Sequence, residues 1–435
     1  MNLTLRATLV AAALVALPAC DFLDQTPQAN LENDQIFTGP TGAEAAINGA
    51  YNRFQIPMDN HVIFSDLAAD YAAHTGSFPT WADIDNQNVQ TNSVDVSNQY
   101  TQWFALINQA NILIEGVDAT PELTAARKAE IRGEALFFRA FAYHTLVRWF
   151  GGVPLITEAQ IDLGNVDTPR ATVEAIYAQI LTDLRAAEPL VGASRSVGFV
   201  DRDVVRALTA RVLLYNGQYA EAGTIAADVA SRFPLVTVLA LFEAKNSQES
   251  ILELQYTTDD PNNMSFFGFV GGGRFEYGPT AQAQASYPAG DRRIPVTFRT
   301  NGAPPRTVVG KYFRVTTDDD HHFVLRGAEM LFIQAEVAAR AGNTAEAVRL
   351  VNLVRTRAGI ASIAATTVTT ADQGIDLVLA ERGRELAYEG HRWHDLVRTG
   401  RAVSVLRLTD VNDTLWPIPQ RERDINDLLT QNPGY

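Results

Sequence analysis

The fold is decided by two similar stretches, Tyr215-Asn216-Gly217-Gln218-Tyr219-Ala220-Glu221-Ala222 and Arg340-Ala341-Gly342-Asn343-Thr344-Ala345-Glu346-Ala347. They lie 125 residues apart and match at a glycine and at an Ala-Glu-Ala triplet. In each stretch an alanine-rich helical pattern precedes the glycine and an amphipathic pattern follows it. Small alanine side chains let two antiparallel helices approach closely, and glycine permits the tight connection between them. The repeat therefore predicts two helical hairpins of the tetratricopeptide kind, which close over residues 215–229 and 340–354.

Further helical patterns occupy much of the remaining chain. Apolar residues return three and four positions apart in 42–51, 100–117, 125–150 and 173–187. The sequence Gly151-Gly152-Val153-Pro154 ends the third of these helices, and Thr172 is the candidate N-cap of the fourth. A strand is expected at 251–256. The segments 65–98 and 257–305 combine polar residues, Gly and Pro with scattered aromatic residues, which predicts two long loops.

Composition excludes several classes of protein. The chain has 435 residues, of which 46% are hydrophobic, and this is enough for a large core. A formal net charge of −15 opposes binding to a phosphate backbone, so no nucleic-acid partner is expected. Cys20 is the single cysteine, which excludes a disulfide framework and a thiolate zinc cluster.

The N-terminus is typical of a lipoprotein. Residues 1–19 are typical of a secretory signal peptide, with Arg6 before a short apolar stretch. The sequence Leu17-Pro18-Ala19-Cys20 resembles a bacterial lipobox, in which the cysteine becomes the new N-terminus and carries acyl chains such as palmitate. Several chains anchor a protein durably because each buried methylene contributes about 0.8 kcal/mol. We expect lipidation at Cys20, a leader over 20–40 and a helical body over 41–435. The alternative is an ordinary signal sequence with a chance cysteine.

The two long loops hold the candidate ligand-binding residues. Sugar rings present an apolar face of C–H bonds and a rim of hydroxyls, so a sugar site needs flat aromatic groups flanked by planar amides and carboxylates. The candidates are Tyr71, His74, Trp81, Asp83 and Asn86 in the first loop and Asn263, Phe267, Arg274, Phe275 and Tyr277 in the second. The alternative role for such aromatic residues is to anchor the loops to the body. Trp103, Trp149 and Trp393 lie in periodic helices and are expected in the core.

Acidic and histidine clusters near the C-terminus are expected to serve structure, and no catalytic residue, metal site or cofactor is predicted. Glu381, Glu385 and Glu389 stand four residues apart, and like charges at this spacing repel unless cations pair with them. The nearby cations are Arg382, Arg384, Arg392 and Arg398. Residues 318–322, Asp-Asp-Asp-His-His, lack the ligand spacing of a calcium loop and are expected to form a solvated loop.

An ordered series of short motifs resembles the SusD/RagB family of outer-membrane nutrient-binding lipoproteins. After the lipobox come Arg132-Gly133-Glu134-Ala135 with Phe138-Arg139-Ala140, then Trp149-Phe150-Gly151-Gly152-Val153-Pro154-Leu155, Leu325-Arg326, Ala328-Glu329, Arg357-Ala358-Gly359, Glu381-Arg382, Glu385-Leu386, Glu389-Gly390, Asp395-Leu396 and the terminal Asn432-Pro433-Gly434-Tyr435. The resemblance implies an all-α dominated body of tetratricopeptide-like hairpins, with long inserted loops and minor β structure.

The resemblance also implies a function without catalysis. Members of the family are similar to a lid on a SusC-like, TonB-dependent outer-membrane barrel, which captures oligosaccharides or, in some cases, peptides and passes them to the transporter. The chain is therefore expected to be lipid-anchored in the outer membrane and to face the cell exterior. Asp21, directly after the lipidated cysteine, acts as an inner-membrane retention signal in some Gram-negative bacteria and argues against this location. The alternative functions are a periplasm-facing helical scaffold that binds another protein and, third, a glycan hydrolase.

Overall fold

The structure, a computed structural model, describes residues 36–160, 167–193 and 196–435. The predicted signal peptide, Cys20 and residues 20–35 of the leader lie outside these residues. The helices are α1 (Pro40–Gln55), α2 (Met58–Leu67), α3 (Pro79–Asp85), α4 (Val94–Gly116), α5 (Ala125–Phe150), α6 (Val173–Ala187), α7 (Arg202–Tyr215), α8 (Tyr219–Ala230), α9 (Val238–Glu243), α10 (Met264–Gly268), α11 (Ala281–Ala285), α12 (Ile294–Thr297), α13 (Gly327–Arg340), α14 (Thr344–Arg357), α15 (Ala371–Glu385), α16 (Arg392–Arg398), α17 (Ala402–Leu406) and α18 (Gln420–Ile425). The strands are β1 (Ala72–His74), β2 (Ser250–Leu254), β3 (Tyr277–Pro279), β4 (Phe298–Asn301), β5 (Arg306–Val309) and β6 (His322–Arg326).

Capping residues fix the ends of the long helices. The Thr124 and Thr172 side chains accept hydrogen bonds from the backbone N–H groups that begin α5 and α6, and Gly151 ends α5 with a φ of 68°. Both helices have the predicted bounds. Helix α4 begins six residues before the predicted start because Ser93 caps it and Val96 continues its buried face.

The tetratricopeptide-like hairpins are present as predicted. Gly217 and Gly342, with φ values of 74° and 77°, connect α7 to α8 and α13 to α14. The helices approach closely: a Cβ on Gly223 of α8 would lie 3.0 Å from Val337 of α13. Helix α13 packs against α7, α8, α14 and α15 and so joins the two hairpins.

The core lies around α5, which packs between α4 and α6. Trp103, Trp149 and Trp393 are fully buried, as predicted. Trp149 packs against Trp416 with ring centroids 3.9 Å apart and ring planes inclined by 33°, which holds the C-terminal segment on the body. Among the described residues, no helix combines the length and the apolar character that a membrane crossing needs.

The two segments predicted as long loops contain short regular elements instead. The first holds the end of α2, β1, α3 and the start of α4, and the second holds α10, β3, α11, α12 and β4. The elements that lie wholly within these segments span three to seven residues each, which is too few to show a hydrophobic period, so the sequence showed only their turn residues. Strands pair antiparallel as β1–β3, β2–β6 and β4–β5.

Glu381, Glu385 and Glu389 are neutralised by buried ion pairs, as predicted. Burial would raise the pKa of Glu385, but Arg357, Arg326 and Arg293 hold it well below its usual value. The expected partners are mostly wrong, because the neutralising cations come from distant elements of the chain. Arg384 pairs with Glu381, whereas Arg382, Arg392 and Arg398 pair with Asp395, Asp70 and Glu336.

The run at 318–322 is not the solvated loop that the sequence predicts. Asp320, His321 and His322 are buried, and the last begins β6. His322 Nε2 lies 2.6 Å from Asp59 Oδ1, and this contact holds residues 318–322 against α2.

Candidate functional site

The short ladder between β1 and β3 brings the two predicted ligand-binding segments together. His74 lies opposite Tyr277, and Ala72 lies opposite Pro279. The backbone N–H of Thr75 extends the ladder by donating to the carbonyl of Glu276 at 3.0 Å. Residues about 200 positions apart therefore share one surface.

An aromatic cluster lies beside this ladder and comprises Phe78, Trp81, Phe266, Phe267 and Tyr277. Trp81 packs edge-on against Phe78 and Phe267, with centroids 5.3 and 5.2 Å apart, and lies 6.5 Å from Tyr277. Such packing favours each contact by about 0.5–1.5 kcal/mol beyond burial. The three phenylalanines are partly exposed, whereas Trp81 and Tyr277 are 2% and 1% exposed. The cluster thus has two buried rings at its bottom and three partly exposed rings at its outer rim.

Charged groups border the aromatic cluster and fix its loops. Arg274 lies 4.4 Å above the ring of Phe78, and its guanidinium is 3.0 Å from the buried carboxylate of Glu276. Burial would raise the pKa of Glu276, but hydrogen bonds from the N–H groups of Ser77 and Phe78 and from Arg274 lower it overall. His74 lies 3.7 Å from the same carboxylate. Arg274 remains 43% exposed and is available to a ligand.

A polar recess of about 490 Å³ lies at the end of α3 and is also lined by residues just before β1, on α11 and at the end of α17. Asp70, Asp85, Gln87, Gln282 and Arg407 supply its carboxylates, amides and guanidinium. Asp85 accepts a hydrogen bond from the N–H of His74, and burial raises the pKa of Asp85. Arg407 has a left-handed φ of 58°, and its guanidinium forms no hydrogen bond or ion pair with any described residue. The recess therefore offers planar polar groups, one of them an uncommitted cation.

The sequence-predicted residues divide into three groups in the structure. His74, Phe267, Arg274 and Phe275 lie together at the partly exposed rim. Asn263 precedes α10, where it donates to Asp59. Asp83 lies on α3 and is partly exposed, and Asn86 directly follows α3 and is exposed.

Tyr71, Trp81 and Tyr277 are buried, unlike the surface positions that the sequence predicts for them. Tyr71 lies beneath Arg392, whose guanidinium is 4.8 Å from the ring centroid. Trp81 lies on α3 rather than in a loop, because Pro79 starts a helix that turns the indole inward. These three residues support the surface from below.

Glu276 and the polar recess were not predicted from the sequence, and Phe78 and Phe266 were visible in it only as aromatic residues of the two loops. Phe78 and Phe266 adjoin predicted residues and carried the same aromatic signal. Nothing in the sequence around Glu276 and Arg407 indicates a binding site, because their positions depend on pairing between distant segments of the chain.

This arrangement can stack on apolar ring faces and hydrogen-bond to hydroxyls. A glycosidase needs a carboxylic acid whose pKa is raised, opposite a second carboxylate. Glu276, the carboxylate at the aromatic cluster, has a lowered pKa and is bound by backbone N–H groups. Within residues 36–160, 167–193 and 196–435, no three His, Asp or Glu side chains are grouped to ligate a metal ion.

Comparison with known proteins identifies the family. A family model described as starch-binding and associating with the outer membrane matches residues 21–214, and a model described as the SusD family matches residues 284–408. SusD-like protein P38 of Formosa agariphila is 26% identical and is aligned over 98% of both chains.

Solved structures share the fold. A laminarin-binding SusD-like protein superposes with a TM-score of 0.83 at 22% identity, over 92% of this chain and 100% of its own. Surface glycan-binding protein A from Bacteroides fluxus superposes with a TM-score of 0.77 at 23% identity, over 91% of this chain and 100% of its own. Together with the helical hairpins and the motif series, these matches show that the chain belongs to the SusD/RagB family.

Proposed function

We propose that the protein binds a neutral or weakly charged oligosaccharide on the aromatic cluster and polar recess, and delivers it uncleaved to a SusC-like, TonB-dependent transporter. The observation that carries this proposal is the partly exposed rim of Phe78, Phe266 and Phe267. The similarity to a laminarin-binding SusD-like protein and to a surface glycan-binding protein supports an oligosaccharide as the ligand.

Each part of the site has a role in this proposal. The phenylalanine rings pack against sugar faces, and Trp81 and Tyr277 hold those rings in place from below. Arg274 and the amides of Gln87 and Gln282 donate hydrogen bonds to sugar hydroxyls. The acidic net charge opposes polyanionic glycans. Because delivery requires release, a dissociation constant from about micromolar to millimolar suits the role.

Titration calorimetry with laminarin and with soluble starch tests the ligand and the site. We expect Phe267→Ala and Phe78→Ala each to weaken binding about tenfold, which corresponds to the loss of one stacking contact. Tyr219→Ala is the matched control. It also removes an aromatic ring that packs under a guanidinium, that of Arg340 at 4.6 Å, but Tyr219 lies on α8 and belongs to neither the aromatic cluster nor the polar recess. The control should bind as the wild type does. Thermal unfolding of each variant shows whether it is folded.

Two outcomes would contradict the proposal. Wild-type affinity for a bound glycan in both phenylalanine variants would exclude the aromatic cluster as the site. Release of new reducing ends from the glycan by purified protein would show that the protein is an enzyme.

The membrane attachment and the partner need separate tests. Cys20→Ala should move the protein from the membrane fraction to the soluble fraction, and retention after a salt wash would exclude the lipid anchor. Protease added to intact cells should digest a surface-facing protein, whereas full protection would favour the periplasm-facing scaffold. Co-purification of a TonB-dependent barrel with the tagged protein from detergent-solubilised outer membranes tests the transporter partner.

A further inference from the structure

A cavity of about 130 Å³ lies between α4 and the C-terminal segment and shares no residue with the aromatic cluster or the polar recess. Its apolar walls are Phe104 of α4, Ile156 of the segment after α5, and Ile425 and Leu429 at the C-terminal side. An engineered apolar cavity of about 150 Å³ in another protein takes up benzene. This cavity therefore has room for one ring-sized apolar group.

Two side-chain polar groups in the cavity wall have no partner among the described residues. Tyr100 is 3% exposed, and its hydroxyl forms no hydrogen bond with any residue that the structure describes. Glu422 is half-buried, and its carboxylate forms no ion pair or hydrogen bond in the same described part of the chain. A buried polar group without a partner is unfavourable because it has lost its hydrogen bonds to water. A ligand that supplies the missing hydrogen bonds would offset that loss.

The walls of the cavity are held in place before any ligand binds. The N–H of Gln420, at the start of α18, donates to the carbonyl of Thr91 at 2.8 Å. Asn426 Nδ2 donates to the carbonyl of Thr168 at 3.1 Å, and Arg170 donates to the carbonyl of Thr430 at 3.0 Å. A preformed site loses little conformational entropy on binding.

We propose that this cavity binds an ammonium group attached to one aromatic or branched aliphatic group. The apolar group lies between Phe104 and Leu429, and the ammonium donates a hydrogen bond to Glu422. A cation is favoured because Glu422 is the unpaired charge in the wall and the whole protein carries a net charge of −15. A free arylalkylamine and the N-terminal residue of a peptide share this chemistry.

Ligand-observed NMR and calorimetry with phenethylamine test the site, and 2-phenylethanol is the uncharged comparison. We expect a millimolar dissociation constant for phenethylamine, weakened about tenfold by Glu422→Gln. The same variant should leave phenylethanol binding unchanged. Ala105→Leu, which fills the cavity from α4, should abolish binding of both compounds. Glu174→Gln on α6 is the control, because it removes an exposed carboxylate outside the cavity.

The two sources are separated by the peptide Phe-Gly-Gly and its N-acetylated form. Binding of the free peptide but not the acetylated one indicates a peptide terminus as a natural ligand, whereas binding of phenethylamine alone indicates a small amine. Thr101→Leu is a second filling variant should Ala105→Leu unfold, as judged by circular dichroism. The proposal is wrong if wild-type protein does not bind phenethylamine at about 20 mM, if Glu422→Gln binds it equally well, or if a folded filling variant still binds.

Discussion

Arg326 is the cation that three buried carboxylates share, and we predict that Arg326→Met strongly destabilises the fold. One of its amino nitrogens, Nη1, lies 2.7 Å from Glu249 and 2.8 Å from Glu385, and its Nε lies 2.7 Å from Glu389. All four side chains are at most 1% exposed, so water cannot replace the guanidinium. Methionine keeps the apolar stem in place and removes only the charge and its hydrogen bonds.

The expected loss in the free energy of unfolding depends on the cations that remain beside the three carboxylates. Removing one partner of a buried ion pair costs about 3–5 kcal/mol. Here Glu385 retains Arg293 and Arg357, and Glu389 retains Lys311 at 2.5 Å. Because cations remain nearby, we expect a loss at the lower end, about 3 kcal/mol of the free energy of unfolding.

Urea unfolding followed by tryptophan fluorescence at pH 7.5 measures this loss. The control is Arg349→Met on α14, where Arg349 is 58% exposed and pairs with Glu346 in the same helix. An exposed pair of this kind contributes about 0.3–0.5 kcal/mol. If Arg326→Met costs less than about 1 kcal/mol, the buried network is no more stabilising than a surface pair and our reasoning is wrong.

Two further predictions concern acid stability and backbone strain. Burial lowers the pKa of four histidines, so the folded state keeps them neutral while the unfolded chain takes up protons below a pH of about 6.5. The stability that these residues contribute is present above that pH and is lost as the pH falls, so the urea midpoint should be lower at pH 5.5 than at pH 7.5, and an unchanged midpoint would contradict this. The four residues are His61, His144, His391 and His394. Gly342→Ala should destabilise the fold by about 1–2 kcal/mol because Gly342 has a φ of 77°. Gly49→Ala should stabilise it by about 0.5–1 kcal/mol because Gly49 lies in α1 with open space around it. A melting temperature that rises for Gly342→Ala or falls for Gly49→Ala would contradict these predictions.

The helical framework could be predicted from the sequence because its signals are local. Thr124, Thr172 and Gly151 mark helix ends through hydrogen bonds and dihedral angles set within a few residues. Gly217 and Gly342 indicate the hairpin connections because each turn needs a left-handed φ, which glycine adopts readily. Caps and hydrophobic periods therefore predicted the bounds of α5 and α6 without any tertiary information.

The candidate site could be predicted only in part because its geometry is not local. The sequence identified both segments that meet at the β1–β3 ladder, but nothing in either segment specifies that His74 lies opposite Tyr277. In the folded chain Tyr277 is buried within this ladder and Trp81 is buried on α3, whereas Phe78 and Phe267 lie at the rim. An aromatic residue in a polar segment has the same sequence signal whether it contacts ligand or supports the residue that does.

The motifs that identify the family explain why the scaffold was more predictable than the site. Arg326, Glu385 and Glu389 come from that motif series and share one buried ion-pair network, and Glu329, from the same series, pairs with Arg211 and Arg382 in a second buried group. A charge that needs a buried partner restricts the residue at both positions, so the network gives the sequence a recognisable pattern. The rim rings carry no such requirement, since any flat apolar side chain there can pack against a sugar. The motif series therefore specifies buried parts of the scaffold, including the Arg211–Glu329 pair that joins α7 to α13, and carries no information on the exposed rings.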